Sequence, residues 1–229
     1  YSIRTAQDIL NREGHYVMQS LTSGNAGDIG VSGRTTIIDG TLQAAALNGY
    51  RGGRISLAAT DIFVQSSAES PLPSGFGFDA ALDASLQGKL TMSADSLSGR
   101  GFSEVDLGDG RTNTVTVRSG AVLDAAAVAL SATQAVTVES GAQIGVLQTA
   151  TGKSGTERIA LTTPGTLTIG SGAALYASGA ITLDVNDVKD IAGRLSSDSG
   201  SLTLKSIAIS FGPEGGRAQN DAGLYLTGS

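Results

Sequence analysis

Read only for apolar and polar positions, the middle of the chain repeats one phrase. Val115 and Val117 flank Thr116, Val136 and Val138 flank Thr137, and Leu167 and Ile169 flank Thr168. Each alternation leads into Ser-Gly-Ala, beginning at Ser119, Ser140 and Ser171, so the copies stand 21 and 31 residues apart. Two residues after each Ala comes another apolar side chain: Leu123, Ile144 and Leu175. A second alternating pair lies upstream, Val128/Leu130 in one copy and Ile159/Leu161 in the next. Weaker copies run through RISLAATDIFVQSSA (54–68), DIGVSGRTTII (28–38), KLTMSADSL (89–97), SEVDLG (103–108), AITLDV (180–185) and SLTLKSIAIS (201–210). The first members of these upstream-type pairs are residues 29, 55, 90, 105, 128, 159, 181 and 202.

Alternation with a period of two, in short runs rich in Val, Ile, Leu and Thr, predicts strands with one buried face. Helical spacing is nearly absent; SIRTAQDILN (2–11) is the main exception and is expected to be a short cap. Two-residue hairpin turns are scarce, Asn48-Gly49 and Asp109-Gly110 being the few candidates. Short strands that recur every twenty to thirty residues without hairpin turns predict an all-β fold, a parallel β-helix (solenoid). Each coil of such a fold lays its strands beneath those of the next, at about 4.8 Å per coil. Val115, Val136 and Leu167 are then expected to stack inside, and Thr116, Thr137 and Thr168 outside. The Gly of Ser-Gly-Ala is expected to take positive φ at a corner. Eight to ten coils are expected, making a rod of about 40–50 Å. A β-sandwich or barrel is the competing architecture, and it requires commoner hairpin turns.

Composition narrows the chemistry. The chain has 229 residues, 32 Gly, no Cys, no Trp and one His, with 16% charged residues, against about 25% in ordinary domains. Ser, Thr, Gly, Asn and Gln must therefore cover most of the surface. A net charge of −6 opposes nucleic-acid binding, which needs clustered cations. Thiolate and poly-His metal centres are excluded. No membrane-spanning run occurs; DAAAVALSATQAV (124–136) is short and interrupted by polar residues. The chain opens at Tyr1 without an initiator Met or signal peptide, and is expected to be a single β-helix segment (1–229) of a longer polypeptide.

Four stretches interrupt the repeat: 69–88, 108–114, 148–157 and 212–221. The first and third follow the same point of the phrase and are expected to project from one edge. Loops on a rigid scaffold commonly carry recognition, which makes Phe76, Phe78 and Lys153 the candidate contact residues. Glu104, Asp106 and Asp109 form the one carboxylate group suited to acid–base work on a polysaccharide. Alternation also places them outward as solvated side chains. Asp184, Asn186, Asp187 and Asp190 offer oxygen ligands but match no Ca²⁺ loop, and a solvated turn is expected there. The Ser of Ser-Gly-Ala has no recurring His partner and no Gly-x-Ser-x-Gly elbow, so a corner is expected rather than a nucleophile. His15 has no acidic partner nearby in sequence and is expected to be a surface or cap residue. No cofactor or metal is expected.

GRISLAATDIFV (53–64), VTVRSGAVLDAAAVALSATQAVTVESGAQI (115–144) and GTLTIGSGAALYASGAITLDV (165–185) resemble the shafts of filamentous haemagglutinin-like large exoproteins of bacterial two-partner secretion systems. The resemblance is periodic and compositional, and covers about two thirds of the chain. It implies a right-handed β-helix, export through an outer-membrane two-partner transporter, and a secreted or cell-surface location. It also implies roles in attachment, aggregation or delivery of a terminal toxin, with host-surface or matrix glycans or proteins as partners. The family's secretion domain carries Asn-Pro-Asn motifs; none occurs here, which implies a shaft or distal segment. The second functional reading is a carbohydrate-active β-helix enzyme, a hydrolase or lyase, using Glu104, Asp106 and Asp109.

Overall fold

The computed structural model describes residues 24–38, 41–66, 72, 76–77, 79–148, 153–197, 201–205 and 208–209. Those residues are all-β, with two single-turn 3-10 helices at Ala84–Leu86 and Ala94–Ser96. The early strands are β1 (Asp28–Ser32), β2 (Gly53–Ala58), β3 (Asp61–Gln65), β4 (Lys89–Ser93), β5 (Phe102–Leu107) and β6 (Thr114–Val117). The central ones are β7 (Val122–Leu123), β8 (Ala127–Ser131), β9 (Ala135–Val138), β10 (Gln143–Ile144), β11 (Leu147–Gln148) and β12 (Lys153–Ser154). The last are β13 (Arg158–Ile169), β14 (Ala174–Ala177), β15 (Ala180–Ile191), β16 (Arg194–Ser197), β17 (Leu202–Lys205) and β18 (Ala208–Ile209).

Among the described residues, every strand pairing is parallel except that of β11 with β12. The chain builds three ladders. The first runs β1-β2-β5-β8, then the first halves of β13 and β15, then β17. The second runs β4-β3-β6-β9, then the second halves of β13 and β15, then β18. The third is the four-stranded sheet β7-β10-β14-β16.

Register bears out the alternation. Ile29, Ile55, Val105, Val128, Ile159, Ile181 and Leu202 form one continuous column of the first ladder. In the second ladder Val115 pairs with Val136 and Val136 with Leu167, all fully buried, while Thr116, Thr137 and Thr168 pair in the same order on the outer side. Leu123, Ile144 and Leu175 continue the third ladder, also buried. The interior is thus built of stacked apolar columns contributed by all three ladders, and burying one Leu or Ile side chain in it stabilises by roughly 1.5–3 kcal/mol.

The Ser-Gly-Ala triplets form identical corners. The Ala N–H donates to the carbonyl three residues back at Arg118–Ala121, Glu139–Ala142 and Gly170–Ala173, each at 3.0 Å. The intervening Gly has φ of 74°, 75° and 71°, as a type II turn requires at its third position. Ala121, Ala142 and Ala173 then point into the core with 0–1% exposure.

Three expectations change. Leu90 does not join the Ile29 column: β4 pairs with β3, Leu90 facing Ile62 in the second ladder. The chain therefore passes the first ladder seven times among the described residues. Seven stacked strands span about 29 Å at the usual spacing. β4 lies on the side of β3 away from β6. The amide of Thr36 donates to the Lys89 carbonyl at 3.2 Å, so β4 is wedged between the first pass and β3. β3 is consequently hydrogen-bonded along both edges.

The two larger insertions also leave from different corners. The first departs at the end of β3, in the second ladder. The third follows β10 of the third ladder and contains the antiparallel pair β11–β12, with Gln148 opposite Lys153. Finally, 184–190 is no turn. It lies within β15, where register shifts against β13 occur between Thr163 and Thr166 and between Leu167 and Thr168. SIRTAQDILN, His15, Phe78 and the whole of 212–221 lie outside the described residues.

Buried polar groups are paired. Thr112 is fully buried and donates to the Ala59 carbonyl at 2.8 Å, and fully buried Thr156 donates to Asp124 Oδ1 at 2.9 Å. Thr156→Val keeps the shape and removes that hydrogen bond to a carboxylate, so a loss of about 1–2 kcal/mol in chemical denaturation is expected.

Candidate contact surface

The outward column of the first ladder reads Asp28, Arg54, Glu104, Ala127, Arg158, Ala180 across successive strands. Arg54 Nε donates to Asp106 Oδ2 at 2.6 Å, joining β2 to β5. Arg158 Nη2 reaches Glu104 Oε1 at 3.0 Å across the whole width of β8. It can do so because β8 presents Ala127 at that point, whose methyl group is too small to block a reach of about 9.6 Å, two strand spacings. Asp109 sits in the corner after β5. Its Oδ2 accepts from Arg111 Nη2 at 2.8 Å and its Oδ1 from the Arg111 amide at 2.8 Å. Arg111 also donates to Ser32 Oγ at 2.6 Å, which ties this corner to β1.

The three candidate acids therefore do not form one shared site. Each is engaged by its own guanidinium. Hydrogen bonding from Arg111 holds the Asp109 carboxyl below the usual carboxylate range, the opposite of what a proton donor near neutrality needs. A depressed folded pKa means that the ionised pair adds stability above the carboxylate's unfolded pKa and loses it as pH falls through the lower folded value. The thermal midpoint of Asp109→Asn is expected to fall below wild type at pH 7, and the gap to close as pH falls below the ordinary carboxylate range and through the depressed folded value.

The outer side of the second ladder has a different chemistry. Thr91, Phe63, Thr116, Thr137 and Thr168 occupy one column of paired positions, all half-buried. The Arg118 guanidinium carbon lies 4.6 Å from the Phe63 ring centroid, and Arg118 also donates to Gln65 at 3.4 Å. Thr114 donates to Asp61 at 2.7 Å. The Glu139 Oε2 accepts from the Ser119 amide at 2.9 Å and so braces the neighbouring Ser-Gly-Ala corner. Phe63 and Arg118 escaped the sequence reading, although the signal was present. Phe63 stands between inward Ile62 and Val64, where alternation puts an aromatic outside.

Of the expected contact residues, Phe76 is half-buried and Lys153 belongs to β12; the two are on separate insertions that leave from separate corners. Asp184 is exposed and bridges to Lys205 at 3.3 Å across β15 and β17. No cluster of three or more His, Cys, Asp or Glu residues able to hold a metal occurs among the described residues, nor is any described helix long and apolar enough to cross a membrane. Comparison with protein families, with curated proteins and with solved structures gave no match.

Proposed function

We propose that this chain is a right-handed parallel β-helix, a shaft or distal segment of a filamentous haemagglutinin-like exoprotein. On this reading it is exported by an outer-membrane two-partner transporter to the bacterial surface. It serves there as a non-enzymatic structural and adhesive element in attachment or aggregation, with host-surface or matrix glycans or proteins as partners. One observation carries the reading: the same apolar and threonine positions recur in register from pass to pass, as in Val115-Val136-Leu167 beside Thr116-Thr137-Thr168. A stack of that kind makes a stiff, hydroxyl-covered spacer whose length scales with the number of passes. The outward charges support it too, since Arg54–Asp106 and Arg158–Glu104 clamp strands together.

Beads coated with the purified segment test the proposal. They are expected to bind cells or matrix surfaces, or to aggregate one another, above the level of albumin-coated beads, without releasing reducing ends or unsaturated sugars from a polysaccharide panel. Polysaccharide turnover that disappears in Asp106→Asn would replace this reading with the carbohydrate-active one.

A further inference from the structure

The first pass carries an exposed turn between β1 and β2. Leu47–Tyr50 is closed by the Tyr50 amide donating to the Leu47 carbonyl at 3.1 Å, with Gly49 at φ 93°. Asn48 and Gly49 are both exposed, and a Cβ built on Gly49 would meet nothing within 4 Å. The sequence contains six Asn, at 11, 25, 48, 113, 186 and 220, and Asn48 is the one followed by Gly.

We propose that Asn48 is a site of spontaneous covalent modification, converting to aspartate and isoaspartate through a succinimide. The Gly49 amide nitrogen loses its proton and attacks Asn48 Cγ. The new N–Cγ bond forms as the Cγ–Nδ2 bond breaks, and ammonia leaves with the proton. Water then opens one of the two imide C–N bonds, giving aspartate or, by the other cleavage, isoaspartate. No oxidant or reductant enters. Gly at the following position leaves the attacking nitrogen uncrowded, and the turn's hydrogen bond uses the Tyr50 amide rather than that of Gly49.

The other described asparagines lack this freedom. Asn113 precedes β-branched Thr114, and its backbone is held on both sides, donating to the Thr60 carbonyl at 2.7 Å and accepting from Gln134 at 2.9 Å. The Asn25 side-chain oxygen accepts from the Arg51 amide at 2.9 Å. Asn186 is fixed within β15.

The isoaspartate product would strain the first pass. It adds a methylene to the main chain between two pinned points. Upstream, the Ala44 amide donates to Arg100 at 2.9 Å and the Ala44 carbonyl accepts from Gly53 at 3.0 Å. Downstream there is no slack: a Cβ on Gly52 would lie 1.9 Å from the Gly101 carbonyl oxygen, and one on Gly53 would lie 2.5 Å from that of Gly27. The extra length therefore falls on residues 41–50, and the two Ala44 hydrogen bonds are the first to yield.

The experiment ages the purified protein in mildly alkaline and mildly acidic buffer and follows each Asn-containing peptide by mass spectrometry, with isoaspartyl methyltransferase labelling. The Asn48 peptide is expected to gain the amide-to-acid mass several-fold faster than those of Asn25 and Asn113, faster in the alkaline buffer, with the label absent from Asn48→Gln. Equal rates at the three sites, or an intact Asn48 after the others have converted, would overturn the proposal. Hydrogen exchange on the aged protein reads the consequence: faster exchange across 41–53 supports the strain argument, and unchanged exchange in fully converted protein refutes it.

Discussion

Gly165→Ala is expected to destabilise the protein by about 3 kcal/mol, near the upper end of ordinary overpacking. Gly165 follows Pro164 at the corner inside β13, and a Cβ there would lie 1.8 Å from the carbonyl oxygen of Gln134 and 2.9 Å from its Cα. That oxygen cannot simply retreat, because it accepts the Thr166 amide at 2.8 Å while the Gln134 amide donates to Asn113 at 2.9 Å. Three successive passes are locked together at this corner. Gly172→Ala is the control. Its φ is 71°, but the nearest atom to its Cβ is 3.8 Å away, so only the left-handed backbone penalty of about 1–2 kcal/mol applies. Denaturant midpoints measured with both slopes give the comparison. A Gly165→Ala midpoint as high as that of Gly172→Ala would show that the corner is looser than described.

The second large effect is expected at Leu161→Ala, again about 3 kcal/mol, within the range for cavities left by large-to-small core changes. Leu161 is fully buried in the first ladder, paired with Leu130 on one side and Leu183 on the other. Neither neighbour can close the gap, since each is held by its own backbone ladder at a fixed strand spacing. Thr137→Ala, on the outer column between Thr116 and Thr168, is expected to stay within about 1 kcal/mol of wild type. A Leu161→Ala cost as small as that of Thr137→Ala would mean that the apolar column is not continuously packed.

Much of this fold was legible in the sequence because alternation determines which side chain faces inward, and stacking then places equivalent positions side by side. The Ile29 column and the Ser-Gly-Ala corners follow from that rule. Alternation does not say which strand lies next to which. KLTMS reads like any other rung, and nothing local shows that the chain returns beneath β3 rather than climbing above it. The acidic stretch 184–190 misled for a related reason: Asp and Asn suit turns, yet the apolar Val185 and Ile191 and the pairing with β13 hold it as strand. The outer surface was the least legible. Glu139 bracing Ser119, and Arg158 reaching Glu104 over Ala127, join residues in different passes, and their distance apart in sequence carries no signal until register is known.

The wedging of β4 beneath β3 gives the molecule a preferred direction under tension. Pulled from the side of residue 24, β1 separates from its one strand neighbour β2, breaking the Arg111–Ser32 hydrogen bond with it, and β2 then separates from its remaining strand neighbour β5. Unravelling next meets β3, clasped over five residue pairs by β4 and over four by β6. Both clasps must give before the chain can pay out further. Pulled from the opposite side, β17 and then the first half of β15 each let go of a single remaining neighbour. An optical trap is expected to record a long dwell at β3 for the first direction and an even staircase for the second. Leu90→Asp, which ejects β4 from its buried position, is expected to erase the dwell. Such a catch near one end keeps the later passes stacked until β3 has let go of both its neighbours.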